Sequence, residues 1–465
     1  MARYRPQSTP IERPPCGRLA LALGLSFLWL AAVAQEPEAP AAPPEEAVPA
    51  DESTAVEDAQ AEIPSETHLA RLETQILFLD LIEERRFAEA LPFAETMAEL
   101  TEAEFGSPSI ELATALANLA FVRRSLTQFD ESTEAFLGAI EMYREVEGPY
   151  TSSTIAPLVS MGANYYDAGD FLQALGIFEE ARTVNRRSFG LLNPDQVDIV
   201  YHISATLANM RQYEEAHFHQ QDALRLMERV HGSDSLEILP YMYRYAEWLV
   251  SAFQFDTGRN RYVRAMDIIR ELEGPDSPLL VTPLREIGNS FRMQKLAEGR
   301  GIGALKQALE LAEMQTEPDN LEIARILRDI GDWYTAFSRV GPTGEEYVRA
   351  WELLGTVENG DTLRAEWFDD RDGDYVLREY PSSRGVIDAD EPDAVEGFVR
   401  IVFDIDIDGK PLNVNVLESD PPGFKDSSMQ RAISRSRFRP RVVDGKLAYA
   451  SGLIRHFTFH YRSDE

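Results

Sequence analysis

From Glu66 to about Gly360, apolar residues recur at helical spacing and the pattern copies itself every 42 residues. Three registers carry the copy. Aromatics stand at Phe87, Phe129, Phe171, Tyr213 and Phe255, and glycines at Gly106, Gly148, Gly190, Gly232 and Gly274. Small residues precede the aromatic register by nine positions, at Ala120, Gly162, Ser204, Ala246 and Gly288. Each copy reads as a helix, a short turn, the aromatic, a second helix and a glycine loop. The small residue is expected to let the two helices approach, the aromatic to plug the gap between them, and the glycine to supply a left-handed C-cap. Seven units, about fourteen helices, fit this frame. The first has Phe78 at the small position and the last ones degrade, as the ends of a stacked array do. A plain helical bundle would not need a fixed spacing.

Past Glu396 the period changes from helical to alternating. Val399, Ile401, Phe403, Ile405 and Ile407 fall on one face of a strand, with Arg400, Asp404 and Asp406 on the other. Asp408-Gly409 predicts a two-residue hairpin turn, and Leu412, Val414 and Val416 carry the returning strand to Pro421-Pro422-Gly423. Phe424, Met429, Ala432 and Ile433 share a helical stripe, with Asp426 placed to cap it. A Gly445 turn leads to a last strand ending Phe457, Phe459, Tyr461. Between the two patterns, residues 361–396 form a charged connector in which Tyr375, Leu377 and Glu379 outline one short strand.

Stretches such as LTQFDESTEAFLGAIEMY and AGDFLQALGIFEEARTV resemble the second-helix half of tetratricopeptide (TPR) repeats, in the long-period, kinesin-light-chain style. The segment from residue 397 onward resembles the C-terminal domain of the TonB family, periplasmic energy transducers of Gram-negative bacteria. The matching positions are Gly397, Val399, Ile401, Phe403, Ile405, Asp408 and Gly409, then Asp426, Ala432, Ile433 and the closing Arg437-Phe438 with Pro440. Ser436 stands where many members have Trp. Together the resemblances imply a mostly α fold, a TPR-type α-solenoid over 65–360 followed by a small α+β TonB-like domain over 397–465. They also imply a partner: in the TonB family the last-strand region receives a short extended segment of an outer-membrane transporter. Here Ile454, His456, Thr458 and His460 would face outward from that strand, and Leu453, Phe457, Phe459 and Tyr461 inward.

The start of the chain decides where it works. Arg3, Arg5, Arg13 and Arg18 precede an apolar run, Leu19 to Ala34, that ends Ala-Val-Ala before Gln35. That is the layout of a cleaved secretory signal peptide over 1–34, and it places the rest in the periplasm. The alternative is an uncleaved inner-membrane anchor, as in a TonB-type energy transducer. A helix over this run would reach only ~24 Å against a hydrocarbon core of ~30 Å, and the run contains no histidine. Residues 35–64 are rich in Ala, Pro and Glu and read as a disordered tether. The one cysteine, Cys16, lies ahead of the apolar run, so a cleaved chain would hold no disulfide or thiolate chemistry. A net charge of −34 repels phosphate backbones and argues against nucleic acid.

Candidate chemistry is sparse. Asp404, Asp406, Asp408 and Gly409 match the opening of a calcium loop, but its twelfth position is Asn415, and a solvated strand face explains the spacing better. His217 and His219 sit two apart on a helix and face different directions, while His456 and His460 share one strand face. No Walker loop, nucleophile elbow or G-x-G-x-x-G is present. No metal, cofactor or catalytic set is expected, and Arg431, Arg435, Arg437, Arg439 and Arg441 read as a solvated basic face. The expectation is a periplasmic protein-binding scaffold without enzymatic activity, whose partners are envelope or outer-membrane proteins.

Overall fold

The computed structural model describes residues 65–296, 299–337, 344–369, 376–378 and 394–462. The expected signal peptide, the tether, Tyr375, Glu379 and the acidic run Asp370 to Asp374 lie outside the described residues. Two compact units divide the chain, one ending at Val230 and one beginning at His231.

The first unit is built of antiparallel helical hairpins: α1 (Glu66–Glu83) with α2 (Phe87–Phe105), α3 (Ile110–Ser125) with α4 (Phe129–Glu147), α5 (Ile155–Asp167) with α6 (Phe171–Phe189), and α7 (Gln196–Asn209) with α8 (Tyr213–His231). Small residues face each other where the hairpin arms touch. Ala120 and Ser204 have no exposed surface, and the Ser132 hydroxyl donates to the Ala120 carbonyl at 2.8 Å while Ser204 donates to Ala216 at 2.8 Å. A Cβ on Gly162 would stand 2.6 Å from the Phe178 ring, so the helices meet at a distance only glycine permits.

Two expectations are corrected here. The recurring aromatics close the gap only at its edge: Phe87 packs on the core of its hairpin and on Phe121, and Phe171 meets the Tyr166 ring. Each opens the second helix of its hairpin, half-exposed, and Tyr213 is 53% exposed. The plug comes two turns later, at Phe136, Phe178 and Tyr262, which are buried to 1% or less. The physical reason is that the first residue of a helix lies at the end of the packed interface, where its side chain is covered on one side only. The recurring glycines do have positive φ, from +77° at Gly106 to +104° at Gly148. Their ψ lies near 180° (Gly106 −174°, Gly148 165°, Gly190 174°), so these C-caps occupy the glycine-only region of positive φ and not the left-handed helical one. The left-handed residues are elsewhere, in the turn between the two arms: Arg85, Thr127, Gly169, Arg211, Phe253 and Lys295, φ +57° to +83°.

The second unit continues with α9 (Leu239–Ser251), α10 (Phe255–Leu272), α11 (Val281–Met293), α12 (Gly299–Glu313), α13 (Asn320–Phe337), α14 (Glu345–Leu354) and α15 (Gly360–Phe368). The sheet domain follows: β1 (Val376–Arg378), β2 (Ala394–Ile405), β3 (Pro411–Asp420), α16 (Asp426–Arg435), β4 (Arg437–Phe438), β5 (Arg441–Val443), β6 (Lys446–Ala448) and β7 (Ala450–Arg462). The stretch read as a connector therefore holds α15, β1 and the first residues of β2. The main sheet is antiparallel in the order β3-β2-β7, with α16 packed on one face. Val399, Ile401 and Phe403 of β2 meet Met429 and Ile433 of α16 in its core. β1 pairs with β4, Val376 opposite Phe438.

The hairpin between β2 and β3 is wider than the sequence predicts. Ile405 pairs with Pro411, and the Asp406 carboxylate accepts from the Asp408 and Lys410 amides at 2.9 and 2.8 Å. That side chain stabilises a five-residue turn in which only Gly409 has positive φ, +74°. Ile407 is thereby carried off the strand and is 51% exposed. A register break beside Asn413 (φ +52°) likewise turns Leu412 outward, to 42% exposure. Asp426 is not the helix cap. The cap position is Lys425 and no side chain bonds there, so Asp426 contributes only a negative charge at the start of α16.

Candidate functional site

The site is the outer edge of β7. This strand runs thirteen residues, from Ala450 to Arg462, and its pairing with β2 extends from Ile405↔Ala450 to Ala394↔Arg462. Among the described residues no strand pairs with its other side. The opposite edge of the sheet is unlike it. β3 is broken in register twice against β2, and the Gln430 amide of α16 donates to the Val414 carbonyl at 2.6 Å. Bulges and an occupied acceptor blunt that edge; β7 is left as the longer one, broken once at Gly452 (φ +71°) and regular from Leu453 to Arg462.

Side chains along β7 divide by face. Leu453, Phe457 and Phe459 are buried, Tyr461 is half-buried, Ile454, His456 and Thr458 are exposed and His460 is half-exposed. Phe459, Tyr461 and Phe424 form an aromatic cluster with centroids 5.2–6.1 Å apart. His456 stacks on Phe398 of β2 at 5.2 Å. Gly397 pairs with Phe459, and a Cβ there would stand 2.6 Å from the Asp420 carbonyl and 2.8 Å from the Phe459 ring. The first glycine of the motif thus makes room for an aromatic of β7.

The other motif residues support the strand from beneath. Phe403 and Phe438 lie 5.0 Å apart in the core, beside buried Val399. The Phe438 amide donates to the Gly409 carbonyl at 2.9 Å, tying the wide turn to β4. Asp408 pairs with Lys410 at 3.3 Å, Arg437 donates to the Ser436 carbonyl at 2.9 Å, and Pro440 is buried. Ser436, where many members have Trp, is 1% exposed and turns its hydroxyl back onto the Ala432 carbonyl at 2.9 Å.

The acidic motif is occupied by its own turn. Asp404 accepts from Tyr449, Asn413 and the Gly452 amide at 2.6, 2.6 and 2.9 Å. Those bonds, Tyr449's first, hold its carboxyl below the ordinary range. Among the described residues no three His, Cys, Asp or Glu side chains are grouped as a metal would need. Nor is any described helix long and apolar enough to cross a membrane.

The five arginines do not form one basic face. Arg431 and Arg435 are exposed, but Arg439 and Arg441 turn toward the helices. Arg439 Nε and Nη2 each donate to Asp332 of α13 at 2.8 Å. Burial pushes the Asp332 carboxyl up, yet Arg439 beside it outweighs that and holds it below its usual value. Arg441 pairs with Asp369 at 2.5 Å. These partners are far apart in sequence. The signal available was Asp332 itself, a carboxylate among the apolar positions of IARILRDIGDWYTAF. A second charged group joins α11 to α13: Arg285 meets Glu286, Glu322 and Asp329 at 3.1, 2.9 and 3.0 Å. Burial, only partly offset by Arg285, pushes Glu286 up to about 7.

Comparison with known proteins agrees with both halves of this description. Residues 111–187 and 201–237 match family models described as tetratricopeptide repeat, and residues 393–461 match one described as Gram-negative bacterial TonB protein C-terminal. Protein TonB of Pseudomonas aeruginosa is 40% identical over 53 residues, 11% of this chain and 16% of that protein. A clustered mitochondria protein homolog of Candida albicans is 26% identical over 122 residues, 26% of this chain and 9% of its own. The chain thus spans less than a fifth of the length of the curated relatives it matches. Among solved structures, BtubC of P. vanneervenii aligns at TM-score 0.37 and 13% identity, over 57% of this chain and 99% of that one. The C-terminal part of a TPR repeat-containing protein from Cytophaga hutchinsonii aligns at TM-score 0.39 and 12% identity, over 63% and 98%. The chain carries tetratricopeptide repeats followed by a TonB-type C-terminal domain.

Proposed function

We propose that this chain is an exported, periplasmic protein-binding scaffold whose β7 edge takes up an extended segment of an envelope protein, an outer-membrane transporter in the first instance. Tandem repeats and a TonB-type domain are both protein-binding modules, and that much rests on the family matches. One observation carries the finer reading: β7 offers an edge that is regular from Leu453 to Arg462, while β3, its counterpart, is blunted. An added strand would gain main-chain hydrogen bonds along β7, and selection would come from alternate side chains. On one side these would meet Phe424, Phe459 and Tyr461, on the other Ile454, His456 and Thr458.

The export reading rests on the basic, apolar and Ala-Val-Ala sequence of the first 34 residues. N-terminal sequencing of the exported chain tests it, with Gln35 the expected first residue. The binding reading is tested by amide hydrogen exchange on the purified chain, with and without a synthetic peptide copying the periplasmic N-terminal segment of a transporter. Protection confined to β7 amides is expected. Protection confined to α9–α13, or none with the chain folded, would sink it.

A further inference from the structure

The sheet domain and the last helices belong to one compact unit. Phe438 points into the sheet core and is fully buried. Arg439, one step along, therefore leaves in the opposite direction, and it enters the helices. Its fork holds both Asp332 oxygens at 2.8 Å, and Nη1 donates to the Trp367 carbonyl of α15 at 3.0 Å. The Arg439 side chain is 10% exposed and that of Asp332 2%. The Tyr347 hydroxyl of α14 also donates to Asp332, at 3.0 Å. Close contacts elsewhere join the same elements. Leu447 lies over Gly344 so closely that a Cβ there has no room, and a Cβ on Gly409 would stand 2.7 Å from the Thr335 methyl.

We infer that Arg439 is a latch that makes the sheet domain the C-terminal cap of the helical array, fixing β7 in place relative to α13, α14 and α15. An exposed ion pair opens and closes freely and contributes little. This one is desolvated on both sides and tied by three Arg439 donors and the Tyr347 hydroxyl, so its geometry is fixed in the docked state, and deleting one partner would leave a lone buried charge. Stacked arrays need their last apolar face covered, and here Tyr347, Leu354 and Phe368 are all buried in that region. A segment held at β7 is then held in register with the helices instead of swinging on a tether. The latch does not depend on what β7 captures.

Pulsed dipolar spectroscopy tests this on the full chain in a Cys16→Ser background. Spin labels go on Glu352→Cys in α14 and Ser451→Cys in β7, both exposed positions. A second pair, Ser434→Cys with Ser451→Cys, reports on the sheet domain alone. One narrow distance distribution is expected between α14 and β7. Arg439→Ala and Asp332→Ala should broaden or split it, while Arg439→Lys, which keeps the charge but loses the fork, falls between. Loss of the within-domain distance as well would show the same coupling in a stronger form. A broad distribution in the unaltered chain, or a narrow one in Arg439→Ala, would overturn the latch.

Discussion

Thr127 holds a backbone that β-branched residues avoid. It sits exposed in the turn between α3 and α4 at φ +60°, with its amide bonded to the Arg124 carbonyl at 2.9 Å. A left-handed conformation costs an L-residue roughly 1–2 kcal/mol, and glycine returns ~0.5–1 kcal/mol of that as chain entropy. Thr127→Gly should therefore raise the melting temperature slightly, where most loop substitutions do nothing. The sequence concealed this register because only Gly169 among its six positions is glycine. It revealed Gly162 instead, and for a sound reason: a missing side chain at a packed contact repeats as visibly as a large one. Gly162→Leu would drive methyl groups into the Phe178 ring and should cost ~1–3 kcal/mol or more, whereas Leu158→Met, at a position 1% exposed, should cost under ~1.5 kcal/mol. Chemical denaturation of the two variants separates them, and equal midpoints would contradict the packing.

At the scale of elements, periodicity foretold what is local. Helix, turn and strand identities follow from spacings of two and 3.6, so the hairpins, α16 and β7 were legible. What escaped was anything set by a side chain folding back on the backbone, such as Asp406 widening the β2–β3 turn. Charges inside elements were also hidden. Glu286 on α11 is half-buried beside Arg285, and the loss of solvent around it raises its carboxyl from an ordinary 4.5 to about 7. A carboxyl whose folded value is raised favours the fold when protonated, so its contribution is full below 4.5 and is lost as pH rises through about 7. The second unit should accordingly be more stable near pH 5 than near pH 8 by this group's share. Glu286→Gln, neutral throughout, should remove that share of the pH dependence. Thermal melts at the two pH values compare the slopes; an unchanged slope would mean that Glu286 stays ionised in the fold.

At the scale of the molecule, the pair that joins the sheet domain to α13 was the least legible, because Asp332 and Arg439 are 107 residues apart and no local period links them. Its energetics make a sharper test than its geometry. Removing one partner of a buried pair leaves the other charged and unsolvated, at about 3–5 kcal/mol. Removing both in favour of apolar groups of similar size leaves no charge to strand and is often neutral or stabilising. Arg439→Ala should therefore lower the stability of the second unit sharply. Asp332→Leu combined with Arg439→Met should recover most of the loss, even though it deletes every hydrogen bond of the pair. Tyr347 sets the limit on that recovery. Its hydroxyl, 3.0 Å from Asp332, would keep only the Thr335 hydroxyl at 3.1 Å. Adding Tyr347→Phe should then complete the rescue. Denaturant midpoints for the single, double and triple variants check the order, and a double variant no more stable than Arg439→Ala would mean that the loss in Arg439→Ala does not come from leaving the Asp332 charge unpaired.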